Sequence, residues 1–331
     1  EVMTSERQER MLAIVTPENL DRVLELAATW EVRARVVGTV TAGGRLRILD
    51  RPDGEVLADI PAASLHHDAP LYNRPLGPPA DLDARRADDP NALPAPGDCT
   101  EAVLDLLFDP AWAFRQYDHM LFLNTVEGPG GDAAVLRLKA PGLPPTAKGI
   151  ALSTDGNGRW CSVDPRRGAA NSVAESTLNV ACAGARPVAL VNCLNFGNPE
   201  HPEVMWQFSE AVDGMADTCR ALKVPVIGGN VSFYNESRGR DIHPTPVMGV
   251  LGIIDTLDRR PPGAALTGGA TLVLVGRRDT NLAGSVWAYA NHGAHLGGQL
   301  TELDTAAHAR LLDLVRSVVV GGLATGVHDV S

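Results

Sequence analysis

Residues 187–235 read PVALVNCLNFGNPEHPEVMWQFSEAVDGMADTCRALKVPVIGGNVSFYN, and the way this stretch alternates decides the fold. PVALV (187–191) is a short apolar run rich in β-branched residues, which reads as a buried strand. EVMWQFSEAVDGMADTCRAL (203–222) spaces its apolar residues at helical intervals. VPVI (224–227) is again strand-like and ends in two glycines. Working outward, 168–183 (GAANSVAESTLNVACA) reads as an Ala-rich helix. AAVLRL (133–138), KGIALS (148–153) and TPVMGVLGII (245–254) read as further strands. The pattern predicts an α/β or α+β sheet domain with helices on one face.

Polar loops that follow buried strands are where such domains commonly place ligands. Ile227-Gly228-Gly229-Asn230-Val231-Ser232 runs from a strand into glycines and small polar residues. Glycines allow a ligand close to the backbone. Asn230 offers a carbonyl oxygen to a hard cation, and Ser232 a hydroxyl to a phosphate or substrate oxygen. A plain strand-to-turn connection gives the same pattern. Asn192-Cys193-Leu194-Asn195-Phe196-Gly197-Asn198-Pro199 follows VALV and reads equally as a ligand loop or as a turn into the next helix. Glu175 and Asn179 lie four apart on the 168–183 helix, so they share a face. That face suits Mg²⁺ or simply meets solvent. Asp155-Gly156-Asn157-Gly158-Arg159 is a dense turn signal, His119 reads as a general acid or base by residue type and more often as structural, and His328-Asp329 could form an orienting pair.

Upstream, 17–30 (PENLDRVLELAATW) predicts a helix through Leu20, Val23, Leu24 and Ala27, and 34–50 predicts a hairpin turning at Gly43-Gly44. Residues 74–100, rich in Pro, Asp and Ala without a period, read as a linker followed by a helix near 100–108. TLVLV (271–275) reads as a strand and 303–319 as a helix. The length of 331 residues predicts about two domains. A formal net charge of -11 makes nucleic acid a poor partner, because phosphate-backbone binding rests on basic faces. It leaves a nucleotide possible, since small phosphate sites use main-chain N–H groups and a metal ion. The five cysteines form no CxxC pair, so neither a zinc site nor a disulfide framework is expected. The absence of a signal peptide or an 18-residue apolar run points to a cytoplasmic protein without a membrane span.

In order along the chain, SERQERM (5–11), RQYDHM (115–120) with NTV, TDGNGRW, DPRRGAANSVAESTLNVACAGARPVAL, CLNFGNPEHPEVMWQF, PVIGGNVSFYNES, PTPVMGVLG and the final HDVS resemble the PurL family. These are the synthetase subunits of phosphoribosylformylglycinamidine synthase. The resemblance runs over nearly the whole chain except 74–100, and it identifies the chain as an internal piece of such a subunit. It implies tandem copies of a module shared with aminoimidazole ribonucleotide synthetase, each pairing a ferredoxin-like N-terminal domain with an α/β C-terminal domain. On that basis 1–75 would finish a first C-terminal domain, and 76–110 would be linker. Residues 111–260 would form a second N-terminal domain, and 261–331 the start of its C-terminal partner.

The resemblance further implies ATP and Mg²⁺ as cofactors and formylglycinamide ribonucleotide (FGAR) as substrate. Glutamine-derived ammonia would come from a separate glutaminase subunit, PurQ, and the small subunit PurS would complete the assembly. Asn192 and Gly229 would contact ATP, Asn230 its metal, and Ser232 the substrate. Glu6, Arg7 and Gln8 would occupy the substrate-contacting E-S-Q triplet, with Arg7 in place of the usual serine. Asn192 stands where an aspartate is common, which keeps an acceptor oxygen and loses its charge. Glu175 and Asn179 would be metal ligands of a second nucleotide site. The catalytic histidine segment of the family, of the type S-H-N-H-P-S, does not occur in these residues. The chain alone is therefore expected to lack synthetase activity. Two other readings are a selenophosphate- or thiamine-phosphate-kinase-like enzyme of the same superfamily, and a non-catalytic nucleotide-binding scaffold.

Overall fold

The computed structural model describes residues 10–144 and 146–330. The chain divides into two units, Glu1–Tyr72 and Asn73–Ser331. Glu6, Arg7 and Gln8 lie outside the described residues.

In the first unit, α1 (Leu20–Thr29) follows a short turn begun by Pro17. Leu20, Val23, Leu24 and Ala27 are its half-buried residues, as their spacing requires. β1 (Arg45–Leu49) pairs antiparallel with β2 (Val56–Pro61). This corrects the hairpin expected around Gly43-Gly44. The reversal falls at Asp50–Glu55, where Gly54 N–H donates to Arg51 O and Asp53 takes a positive φ of 58°. Residues 34–41 alternate like a strand, yet Val36, Val37 and Val40 are exposed and pair with no described strand. Alternation identifies an extended segment and does not identify its partner.

The second unit opens with α2 (Leu82–Ala87), α3 (Cys99–Leu104) and α4 (Ala111–Phe114). The stretch read as a linker is packed here. Leu82 and Pro90 are buried, Arg85 Nη1 donates to Ser162 O, and Arg86 pairs with Asp164 at 3.2 Å. A six-stranded sheet follows, in spatial order β3 (Thr125–Glu127), β4 (Ala134–Arg137), β5 (Gly149–Asp155), β10 (Thr245–Ile254), β6 (Arg186–Asn195), β7 (Val226–Ser232). All its pairs are antiparallel except β6/β7, which is parallel. A parallel pair needs a crossover, and α7 (Pro202–Leu222) supplies it. The strand expected at 224–227 begins two residues later and continues through the glycines to Ser232. The little hairpin β8 (Glu236–Ser237)/β9 (Arg240–Asp241) then leads into the central β10.

Helices α5 (Gly158–Val163) and α6 (Pro165–Cys182) are capped by Asn157 and Asp164, whose side chains accept first-turn N–H groups. α6 and α7 cover one sheet face. The core there contains Val135, Ala151, Val173, Val180, Leu190, Leu194, Phe196, Met215, Met248 and Val250. Twelve residues of α6 are buried, which explains why its small Ala, Ser and Gly residues fit where an amphipathic helix would not. The other sheet face is more open, with Leu152 and Val191 at 40% and 44% exposure.

After α8 (Val286–Asn291), α9 (Thr305–Val320) packs on α6 and α7, and His308 reaches Thr177 Oγ1 at 3.1 Å. TLVLV (271–275) is not a strand. Leu272 and Val273 are 80% and 75% exposed, and no described strand lies beside them. Among the described residues, no helix is long and apolar enough to cross a membrane.

Candidate functional site

Two groups of polar side chains lie on the second unit, and the sheet register relates them. The parallel pairing of β6 with β7 sets Asn192 beside Gly229, Cys193 beside Asn230, and Asn195 beside Ser232. Residues paired in this way point to the same face. Leu190 and Leu194 enter the helix-covered core, so Asn192, between them in alternation, faces α7 and donates Nδ2–H to Met215 Sδ at 3.4 Å. Gly229 shares that face and has no room for a side chain, since a Cβ there would lie 2.0 Å from Asn192 Oδ1. Asn230 and Ser232 belong to the open face with Cys193 and Asn195. Asn230 is exposed, and its amide approaches the Cys193 thiol at 4.0 Å.

Ser232 is oriented by Asn235. The Asn235 amide donates to Ser232 Oγ at 3.1 Å, Ser232 O at 2.9 Å and Phe196 O at 3.0 Å. Main-chain bonds tie the ends of the two strands together. Phe196 N–H donates to Ser232 O at 2.9 Å and Tyr234 N–H to Gly197 O at 2.8 Å, with Tyr234 at a φ of 59°. β7 is the edge strand of the sheet, so its outer N–H groups face no other described strand. The strand ends thus present uncharged amides, hydroxyls and main-chain donors.

The second group is acidic. Asp132 stands just before β4, Asp155 ends β5, Asn179 lies on α6, and His328 and Asp329 come from the last described residues. His328 Nδ1 pairs with Asp132 Oδ1 and lies 3.6 Å from Asp329 Oδ1. Ligand atoms of these three residues fall within 4.8 Å of one another. Asn179 Nδ2 donates to Asp155 Oδ1 at 3.0 Å. Three buried oxygens, Asp155 Oδ2, Asn179 Oδ1 and Asp329 Oδ2, meet no described donor.

Burial pushes the Asp132 carboxyl up from its ordinary pKa, opposed by the hydrogen bond from His328. Burial pushes Asp155 up as well, against the hydrogen bond from Asn179 and the nearby Ser176 and Ser153 hydroxyls, which bond each other, while the charge of Asp329 adds to the rise. Buried oxygens without donors are costly. Carboxylates that repel one another around such oxygens are the donor set a hard divalent cation takes. Burial, and then the charges of Asp132 and Asp329, push the pKa of the neighbouring Cys182 thiol up. Half-buried Glu175, one turn before Asn179, adds to the negative field. A cleft of about 260 Å³ lined by His119, Glu127, Asp132, Ser153 and Thr154 opens beside the group.

The structure therefore places Glu175 and Asn179 beside three aspartates that the sequence reading did not assign to a site. Asp155 had read as part of a turn, Asp329 as half of an orienting pair, and Asp132 carried no local signal. The two groups also share one row of the sheet, in which Asp155, Met248, Asn192 and Gly229 are neighbours on successive strands. Two strand spacings, about 10 Å, separate the Asp155 and Asn192 backbones.

Residues 130–254 match the AIR synthase related protein, N-terminal domain, and residues 1–51 match the corresponding C-terminal domain. Over its whole length the chain is 50% identical to the phosphoribosylformylglycinamidine synthase subunit PurL of Parafrankia sp., of which it covers 43%. Among solved structures, T. maritima PurL complexed with ATP is similar at 26% identity and a TM-score of 0.55, over 75% of this chain and 37% of that one. The same protein complexed with FGAR is similar at 27% identity and a TM-score of 0.55, over 76% and 37%. The PurLQS structure from Thermotoga maritima is similar at 28% and 0.56, over 76% and 38%. The chain spans less than half the length of the curated relatives it matches.

Proposed function

The chain belongs to the AIR synthase related family, in its PurL branch, and from that premise we propose that it forms part of an ATP-dependent synthetase converting FGAR to formylglycinamidine ribonucleotide in purine biosynthesis. The observation that carries this reading is the in-register pair of strand ends, Asn192/Gly229, Cys193/Asn230 and Asn195/Ser232. Gly229 and the edge N–H groups of β7 meet the phosphates of ATP. Asn192 touches the nucleotide, Asn230 gives its amide oxygen to the Mg²⁺ that ATP carries, and Ser232 holds the substrate. Glu6, Arg7 and Gln8 are further substrate contacts. Residues 111–260 act as the N-terminal domain of a second module, with 1–75 and 261–331 as parts of two C-terminal domains.

In the reaction, the amide oxygen of FGAR attacks the γ-phosphorus and ADP leaves, giving an iminophosphate. Ammonia adds at the carbon and phosphate departs. Phosphoryl transfer of this kind rests on positioning and charge neutralisation, which neutral amides, main-chain donors and a metal can supply without lysines. The chain's three lysines are Lys139, Lys148 and Lys223, and the strand ends contain none of them. Ammonia comes from the glutaminase PurQ in a complex that includes PurS. The likeness to PurLQS supports that partnership. The complex works in the cytoplasm.

Glu175, Asn179, Asp132, Asp155 and Asp329 hold a second divalent cation that supports a bound nucleotide. The donor-less oxygens of Asp155, Asn179 and Asp329 favour it. Bound there, the cation would offset the mutual repulsion of the four carboxylates and draw a nucleotide's phosphates to them.

Calorimetric titration of Mg-ATP into the full-length protein tests the reading. Asn230→Ala should weaken binding at the strand ends by about tenfold, the loss of one charge-assisted contact. No binding by either protein would favour a scaffold, and equal binding by both would remove Asn230 from the nucleotide site. The 331-residue chain by itself should show no turnover of FGAR, and measurable turnover would refute that expectation.

A further inference from the structure

The loop between β6 and α7 is held from outside by one carboxylate. Asp241, on β9, accepts from Asn198 N–H through Oδ1 at 2.7 Å and binds His201 Nδ1 through Oδ2 at 2.7 Å. Gly197 lies against the same side chain, where a Cβ would come within 2.3 Å of Asp241 Oδ1. The loop is further turned on itself by Asn198 Oδ1, which accepts from Glu200 N–H at 2.9 Å. Its backbone is the partner of the Ser232–Asn235 turn, through Phe196 to Ser232, Tyr234 to Gly197 and Asn235 to Phe196. Tyr234 Oη also reaches Glu200 Oε1 at 3.4 Å. The hairpin closes the ring, because Ile242 N–H donates to Asn235 O. Asp241 therefore touches both ends of the 197–201 loop and is one residue from a strut of the turn that carries Ser232.

We propose that Asp241, with His201, is a positioning clamp for the substrate end of the site: it fixes the Gly197–His201 loop and through it the orientation of Ser232. The inference rests on the functional reading above, in which Ser232 contacts FGAR. The clamp acts on the loop and not on the core. Asp241 lies on the exposed two-residue strand β9, outside the main sheet, so its removal leaves the packing of Phe196, Phe208 and Phe233 in place. A carboxylate is suited to the task because it accepts two donors at once, and charge-assisted bonds of this kind are short and strong.

The test uses the full-length protein with ammonium as nitrogen donor, comparing wild type, Asp241→Ala, His201→Ala and Asp241→Asn. Asp241→Ala should raise the KM for FGAR by about tenfold, with the KM for ATP and the unfolding midpoint unchanged. His201→Ala should give a smaller rise. Asp241→Asn keeps an acceptor for Asn198 N–H and should recover part of the loss. Amide exchange at residues 196–201 and 232–235 should quicken in Asp241→Ala. An FGAR KM within about twofold of wild type, or unchanged exchange in those two segments, overturns the clamp while leaving the functional reading intact. A parallel rise in both KM values with a lowered unfolding midpoint also overturns it, since that is a general structural defect. Wild-type protein that never consumes FGAR overturns the functional reading itself, and the clamp with it.

Discussion

Replacing His308 with glutamine should make the protein less sensitive to acid. His308 is buried between α9 and α6, its ring pairing with Thr177 Oγ1 at 3.1 Å and donating to the Ala174 carbonyl. Burial pushes its pKa down from 6.5 to about 4, against the pull of that carbonyl. The unfolded chain therefore binds a proton below pH 6.5 that the folded chain refuses until about pH 4. Stability from this group is complete above pH 6.5 and is lost progressively as pH falls toward 4. The gap is about 2.5 pH units, which at about 1.36 kcal/mol each amounts to ~3 kcal/mol. Asp132 and Asp155 have raised values and work in the opposite direction, favouring the folded state as pH falls. The quantity to measure is thus the difference between wild type and His308→Gln in urea unfolding at pH 7.5, 6, 5 and 4. A glutamine side chain retains hydrogen-bonding groups and cannot titrate. The advantage of wild type at pH 7.5 should shrink or reverse by ~3 kcal/mol at pH 4. A difference that stays constant over this range would refute the buried neutral imidazole.

Three other outcomes follow from the geometry. Mg²⁺ at about a hundred times its dissociation constant should stabilise the protein by ~2.7 kcal/mol, and Asp155→Asn together with Asp329→Asn should abolish that gain while raising stability in the absence of metal. Thermal scans with and without Mg²⁺ check it. Gly229→Ala should cost ~1–3 kcal/mol through the collision with Asn192 Oδ1, and adding Asn192→Ala should restore much of it, a coupling that a double-mutant cycle reads directly. Asn235→Ala should raise the KM for FGAR several-fold by releasing Ser232, in steady-state assays of the full-length protein.

The central β10 was legible to the residue, because TPVMGVLGII is an uninterrupted apolar run between turn signals. The helices α7 and α9 were legible from their apolar spacing and α6 from its Ala-rich composition, although the Asp164 cap and Pro165 start of α6 had read as a turn. What failed was pairing. The stretch 34–41 and TLVLV at 271–275 carry strand-like sequence, yet neither meets a partner strand among the described residues. The 74–100 stretch looked unstructured because its packing runs through Arg85, Arg86 and Leu82 one contact at a time, with no period to detect. At the strand ends, glycines and small polar residues after apolar runs marked the position. They did not mark the face, and only the register separates Asn192 and Gly229 from Asn230 and Ser232. The acidic group was half visible. Glu175 and Asn179 are four apart on one helix, whereas Asp132 and His328 are 196 residues apart and meet only through the fold.

In the proposed function, the β6 and β7 strand ends hold a metal-bound triphosphate through neutral oxygens and main-chain donors. Crystals of the full-length protein grown with ATP and Mn²⁺ in place of Mg²⁺ test this most directly, through the anomalous signal of the metal. The prediction is a Mn²⁺ peak about 2.1 Å from Asn230 Oδ1, with the triphosphate along Gly229. Manganese at the Asp132–Asp329 group alone, with the strand ends bare of nucleotide, would contradict it.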